Sequence, residues 1–170
     1  WLGDPPDEER TVQLARLAER YLRGHGPADA ADLVKWTGLG LGECRTAFAA
    51  IEDRTEPWGP DGLVQLAGQA MATELPAPRL LGGFDPILHG WASRKEFVPT
   101  DDGVVTNNGL FRPTALVDVQ VIATWTMPKG QITLKPIAKI PKVAMTALEA
   151  EAADIARYLD LEPKPLAVEG

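Results

Sequence analysis

A break in periodicity, more than any single motif, limits what this chain can fold into. Up to Ile51 the apolar side chains recur at steps of three and four; beyond Gly83 they fall into alternating and β-branched runs. Between the two, residues 69–83 carry Pro76, Pro78, Gly82 and Gly83, which interrupt helix and strand alike. A chain of 170 residues has room for one large domain or two small ones, and the break argues for two. Residues 1–70 form the first, with a polar lead-in over 1–6, and residues 71–83 read as a linker.

In the first half, Leu14, Leu17, Ala18, Tyr21 and Leu22 make one buried stripe on a helix from about Asp7 to Arg23. Gly24, Gly26 and Pro27 close it, and Asp29 is suited to cap a second helix that carries Leu33, Val34 and Trp36. Leu41, Cys44, Phe48 and Ile51 predict a third helix over Leu41 to Ile51. Thr55 to Trp58, the turn Gly59-Pro-Asp-Gly62 and Leu63 to Leu66 then predict a hairpin. Three helices followed by a hairpin is the order of a winged helix-turn-helix, whose third helix is the one placed to enter a DNA groove.

The second half predicts three strands, at Pro113–Val117, Val121–Trp125 and Gln131–Lys135, joined by turns at Asp118–Gln120 and Pro128–Gly130. Short turns make an antiparallel meander the natural topology. A final helix from about Val143 to Leu159 carries Ala144, Leu148, Ala152, Ile155 and Ala156 toward the sheet, with Trp125 expected between the two. The expected class is therefore α+β: a winged helix-turn-helix, then a small antiparallel β module over 84–162 covered by a C-terminal helix, then a tail over 163–170.

Charge narrows the function. The chain has net charge -7, so it is no general polyanion binder, and any nucleic-acid contact must be a local patch. Residues 1–68 hold seven basic and twelve acidic side chains, whereas residues 119–147 contain Lys129, Lys135, Lys139 and Lys142 and no acid. On the third helix Arg45 is the one cation, beside Thr46, and the hairpin tip offers Asp61. Phosphate contact needs cations, so the first half has two open readings: a DNA reader through Arg45 and Thr46, or a scaffold that packs on other domains. Arg94 and Arg112 are likewise open between phosphate and local acids such as Asp85, Asp101, Asp102 or Asp118. The four lysines also have a plain alternative, discouraging edge-to-edge sheet association.

Other chemistry is thinly represented. One cysteine excludes an internal disulfide, and with His25 and His89 alone there is no zinc set, so neither metal nor cofactor is expected. Cys44 lies on the apolar stripe of the third helix and reads as an inert thiol. Asp85 and His89 are four residues apart, suited either to an acid–base pair or to an N-cap ahead of Pro86. No apolar run reaches the ~20 residues of a membrane span and no signal peptide is evident, so a soluble, cytoplasmic protein is expected. The chain opens on Trp1 and is expected to be part of something longer.

Particular residues add a family. Leu80-Leu-Gly-Gly-Phe-Asp-Pro-Ile-Leu-His-Gly-Trp-Ala-Ser-Arg94, Asn108-Gly-Leu-Phe-Arg-Pro-Thr-Ala-Leu-Val-Asp118 and Ala123-Thr-Trp125 resemble the winged-helix DNA-binding-domain proteins related to the DNA glycosylase AlkZ. Tyr21 to Leu33 with Trp36-Thr-Gly-Leu39 is similar to that family's last winged helix. The resemblance implies the C-terminal portion of a tandem winged-helix protein that acts on duplex DNA, with further winged-helix domains upstream. It also implies N-glycosidic hydrolysis by a Gln-x-Gln or Gln-x-Asp motif in the amino-terminal part. Glutamines 13, 65, 69, 120 and 131 make neither motif, so this chain is expected to be non-catalytic. A structural or protein-interaction module of the same ancestry is the alternative. The chain departs from the family at Asp118-Val-Gln120 and Ala123-Thr-Trp-Thr126, where relatives tend to have Asp-Gly-Arg and Gly-Thr-Trp-Arg.

Overall fold

The computed structural model describes residues 8–70, 72–99 and 103–169; the lead-in over 1–6 and the Asp101–Asp102 pair lie outside them. The chain divides into two compact units, a helical one of Trp1–Met71 with His89–Ser93 and a sheet one of Ala72–Leu88 with Arg94–Gly170.

In the helical unit, α1 (Arg10–His25) buries Leu14, Ala18, Tyr21 and Leu22, the stripe its spacing predicts. It stops at Gly26, whose N–H donates to the Leu22 carbonyl at 2.8 Å. A Cβ there would lie 2.6 Å from that carbonyl oxygen, so only glycine fits. α2 (Ala30–Thr37) begins with a reciprocal capping box: the Asp29 carboxylate accepts from Ala31 and Asp32, and the Asp32 carboxylate accepts from the Asp29 N–H. It ends at Gly38 in the left-handed region. α3 (Leu41–Ala49) turns Cys44 and Ala47 inward, and β1 (Thr55–Trp58) pairs antiparallel with β2 (Leu63–Leu66). Ala28 exchanges two backbone hydrogen bonds with Val64, tying the α1–α2 connection to the hairpin. One core results, with Leu22, Leu33, Cys44 and Ile51 fully enclosed.

The segment His89–Ser93 closes this unit. The Tyr21 hydroxyl donates to the Gly90 carbonyl at 2.7 Å, the Trp91 indole N–H to the His25 carbonyl at 2.9 Å, and the Ala92 N–H to the Asp32 carboxylate at 2.8 Å. Asp32 thus caps α2 with one oxygen and holds this distant segment with the other.

In the sheet unit, five strands lie in the order β3 (Arg79–Leu81), β4 (Thr114–Val117), β5 (Gln120–Thr126), β6 (Thr133–Pro136) and β7 (Ala167–Val168). The first four pair antiparallel and β7 runs parallel to β6. The three predicted strands are present, and two were not foreseen. Arg79–Leu81, inside the stretch read as a linker, is a paired strand; Ala167–Val168, inside the stretch read as a tail, is another. Neither is long enough to show an alternating pattern, and both exist because β4 and β6 offer edges to pair with. The module is therefore a mixed sheet, not a purely antiparallel one.

α4 (Pro86–His89) is a single turn, and α5 (Lys142–Tyr158) lays Ala144, Leu148 and Ala152 on Leu80, Ala115, Val117, Ile122, Ala123 and Leu134. Trp125 packs against the same cluster, where its position in the sequence placed it. A second cluster of Leu88, Val98, Val104, Leu116 and Val121 fills the sheet unit elsewhere. A register shift between Ala115 and Leu116 leaves Ile122 of β5 as an extra residue, so that Ile122 and Ala123 both enter the first cluster while Leu116 and Val121 enter the second.

The β4–β5 turn is strained. Asp118 and Val119 both sit at positive φ, 51° and 65°, the geometry of a two-residue hairpin turn that suits Asn-Gly or Asp-Gly. A β-branched residue there crowds its own backbone. Val119→Gly is expected to raise stability by about 1 kcal/mol, read as a higher midpoint in urea unfolding; an unchanged or lower midpoint would show that the valine is accommodated without strain.

Candidate nucleic-acid interface

The helical unit neutralises most of its own cations. Arg10 pairs with Glu43 at 2.6 Å, Arg16 with Glu8 at 2.6 Å, and Glu19 receives both Arg23 at 2.9 Å and Arg54 at 2.7 Å. The Arg10 guanidinium holds the Glu43 carboxyl below the usual carboxylate range. Exposed pairs of this kind contribute at most about 1 kcal/mol each to stability, so their main effect is on surface charge. On α3, Arg45 is exposed and lines a shallow depression of about 430 Å³ with Asp29, Leu41, Phe48 and Val64. Thr46 is exposed too, and its hydroxyl donates back to the Gly42 carbonyl at 3.1 Å.

The sheet unit is arranged differently. Lys129, Lys135, Lys139, Lys142 and Arg112 are all exposed, and none forms an ion pair among the described residues. Lys135 lies on β6, opposite Thr124 of β5. With Arg112, Pro113, Thr124, Trp125, Thr126 and Glu169 it lines a notch of about 350 Å³. Lys129 sits before β6 in the turn Pro128–Gly130, at φ 51°, and its carbonyl accepts from Lys164 Nζ at 2.6 Å. Lys139 follows β6 and Lys142 opens α5. The cations are thus strung along β6 and beyond both of its ends, with Arg112 and Lys135 sharing one opening. The Arg94 guanidinium lies 5.3 Å over the Phe111 ring, itself in edge contact with Phe84.

Two neighbours of these cations escaped the sequence reading. Lys164 and Glu169 belong to the stretch taken as a tail, and only the pairing of β7 with β6 reveals that Glu169 reaches the notch. No local pattern signals a contact between residues so far apart in the chain.

The remaining titratable groups are structural. Asp85 accepts from the Ile87 N–H at 3.0 Å, the N-cap alternative for this residue. His89 stacks with Trp36, centroids 6.3 Å apart. His25 stacks on Tyr21 at 4.8 Å and faces Trp36 at 4.5 Å and Trp91 at 5.2 Å, with its Nδ1 buried and unpartnered. Burial, reinforced by the neighbouring His89, holds the His25 imidazole below its ordinary value. Burial, with Asp32 and Asp29 nearby, keeps the Tyr21 phenol protonated, and burial likewise raises the Cys44 thiol, which leaves it inert.

The family described as DNA glycosylase AlkZ-like matches residues 1–158, and the chain belongs to that family. It is similar to the interstrand DNA cross-link repair glycosylase of Streptomyces sahachiroi, at 26% identity over 175 residues that cover 96% of this chain and 46% of that protein. The solved structure of Streptomyces sahachiroi DNA glycosylase AlkZ matches with a TM-score of 0.84 at 21% identity, over 97% of this chain and 48% of that one, a likeness of fold. The chain spans about half the length of these relatives. Among the described residues no helix is long and apolar enough to cross a membrane.

The half-buried His25 imidazole makes the helical unit sensitive to acid. Its folded pKa lies below the unfolded value of 6.5, so the unfolded state takes up the proton first and stability falls as pH drops below about 6.5. His25→Phe keeps the stack and removes the titration. The difference in melting temperature between pH 7.5 and 5.5, followed by tryptophan fluorescence, is expected to be smaller in the variant; equal differences would refute the assignment.

Proposed function

We propose that this chain is the DNA-binding portion of an AlkZ-like glycosylase, built from a winged helix-turn-helix over residues 1–70 and a β module that carries the phosphate contacts. Family membership supports the relation to DNA. The observation that carries the division of labour is electrostatic: four of the helical unit's arginines are held by its own glutamates, whereas Arg112, Lys129, Lys135, Lys139 and Lys142 of the sheet unit are exposed without a paired carboxylate. A duplex presents about one charge per 1.7 Å of axis, so cations strung along a strand are a better match to it than one arginine on a helix.

In this reading the winged helix is mainly a scaffold that docks on the winged-helix domains upstream, and Arg45 and Thr46 are minor contacts. Hydrolysis of the N-glycosidic bond falls to the Gln-x-Gln or Gln-x-Asp motif of the amino-terminal part, and this chain supplies grip and position.

The test is duplex binding by the 170-residue chain at several salt concentrations. Affinity is expected to fall steeply with salt, and changing Lys129, Lys135 and Lys139 together to Glu is expected to flatten the slope of log K against log salt by about 3, with Arg45→Glu having a smaller effect. Affinity that does not respond to salt, or a triple variant that binds like the parent, would defeat the proposal. The same chain is expected to leave an N7-alkylated purine in place; its release would move catalysis into these residues.

A further inference from the structure

On β4, β5 and β6 the residues Thr114, Thr124, Thr126, Thr133 and Lys135 share one face by register and alternation, opposite the Ala115, Ala123 and Leu134 that meet α5. Thr114 and Thr124 of this face are buried, Thr126 and Lys135 are exposed, and Arg112 lines the same opening from the residue two before β4. Arg112 and Lys135 line the same 350 Å³ opening with the Glu169 side chain, yet no two of the three come within ion-pair distance. The arrangement is two cations and one carboxylate around an unfilled space, with one positive charge in excess. Thr114, paired with Thr124 on the same face, has its hydroxyl buried with no hydrogen-bond partner. The buried Thr114 hydroxyl does not line the opening, and it is the two unmatched cations around that opening that suit an oxyanion.

Glu169 reaches the notch through β7, two residues long and held to β6 by the Ala167 N–H to Ile132 and the Glu169 N–H to Leu134, at 3.0 and 2.8 Å. Short parallel edge strands are the weakest element a sheet can carry. The stretch from Leu159 to Pro165 that leads to it is exposed throughout.

We propose that Arg112 and Lys135 form a phosphate-binding notch, and that Glu169 on β7 is a built-in competitor for it, so that removing or displacing that carboxylate opens the site. The inference rests on the DNA-binding reading above only for the source of the phosphate, a duplex backbone; free phosphate is the other source of the same chemistry.

The experiment follows the Trp125 indole N–H signal by NMR in the 170-residue chain, titrated separately with inorganic phosphate and with a short duplex. Glu162→Gln, an exposed acid outside the notch, is the control for net charge. A saturable shift is expected with the duplex, about tenfold weaker in Arg112→Gln and in Lys135→Gln. In Glu169→Gln it is expected to be two- to fivefold tighter, roughly the strength of an exposed charge pair, and beyond any change in Glu162→Gln. Saturation by inorganic phosphate with the same ranking of variants also supports the notch, even if the duplex does not bind, in which case the DNA-binding reading fails and the site stands. Duplex binding that is the same in Arg112→Gln, Lys135→Gln and Glu169→Gln as in the parent overturns the notch and leaves the DNA-binding reading intact. All four substitutions are at exposed positions, and an unchanged spectrum elsewhere verifies the fold.

Discussion

Burial of the β4–β5 pair is the constraint on which the sheet unit depends. Ala115, Ala123 and Ile122 pack beneath α5, while Leu116 and Val121 of the same strands enter the second cluster. Removing a leucine-sized side chain from a core of this kind costs about 2–5 kcal/mol, several times what any exposed ion pair contributes. Hydrophobic burial therefore fixes the frame, and the frame fixes where β6 lies. Lys135 points away from α5 because Leu134 must point toward it. The candidate interface is in this sense a by-product of packing: once one face of β6 is claimed by the core, the other is free to carry charge.

The helical unit shows the opposite use of polar groups. Asp32 is buried, and its two oxygens accept backbone N–H groups from Asp29 and from Ala92, the latter sixty residues from Asp32. Charge-assisted bonds to an otherwise enclosed carboxylate are stronger than neutral ones, and their loss leaves an unsatisfied charge. With Tyr21 and Trp91 donating to backbone carbonyls, this unit holds His89–Ser93 by groups that cannot also contact a ligand. Four of its arginines, Arg10, Arg16, Arg23 and Arg54, are similarly committed to glutamates. Polar side chains that complete a fold are withdrawn from recognition, and this is the physical reason to look for recognition in the other unit.

How much of this was legible in the sequence follows the range of the interactions. α1, α2 and α3, the β1–β2 hairpin and α5 were readable because each is encoded by neighbours three, four or two positions apart, with Asp29 and Gly38 marking the ends of α2. β3 and β7 were not, since two or three residues carry no period and their partners lie 33 or more positions away. The same distance hid Lys164 and Glu169. The stacking of the Arg94 guanidinium on Phe111 was not legible either, since it depends on how Phe111 is placed by the loop before β4. Asp85 resolved as a cap because the competing bonds are local.

The position of Val119 shows how a family resemblance and a local conformation inform each other. The turn keeps the double positive φ of an Asp-Gly turn although its second residue is valine, so the conformation is imposed by the pairing of β4 with β5 and not chosen by the turn. A hairpin that holds its geometry against a β-branched residue is one whose flanking strands are buried strongly enough to dictate it. Burial thus holds the frame of the sheet, while β5 carries uncharged polar residues at its two ends, glutamine at 120 and threonine at 126. With the uncharged Thr124 and Thr126 of β5 lining the notch, the positive charge of this end of the sheet rests on Lys135 and Arg112. That makes Glu169 consequential, because one carboxylate among two cations halves the net charge presented there.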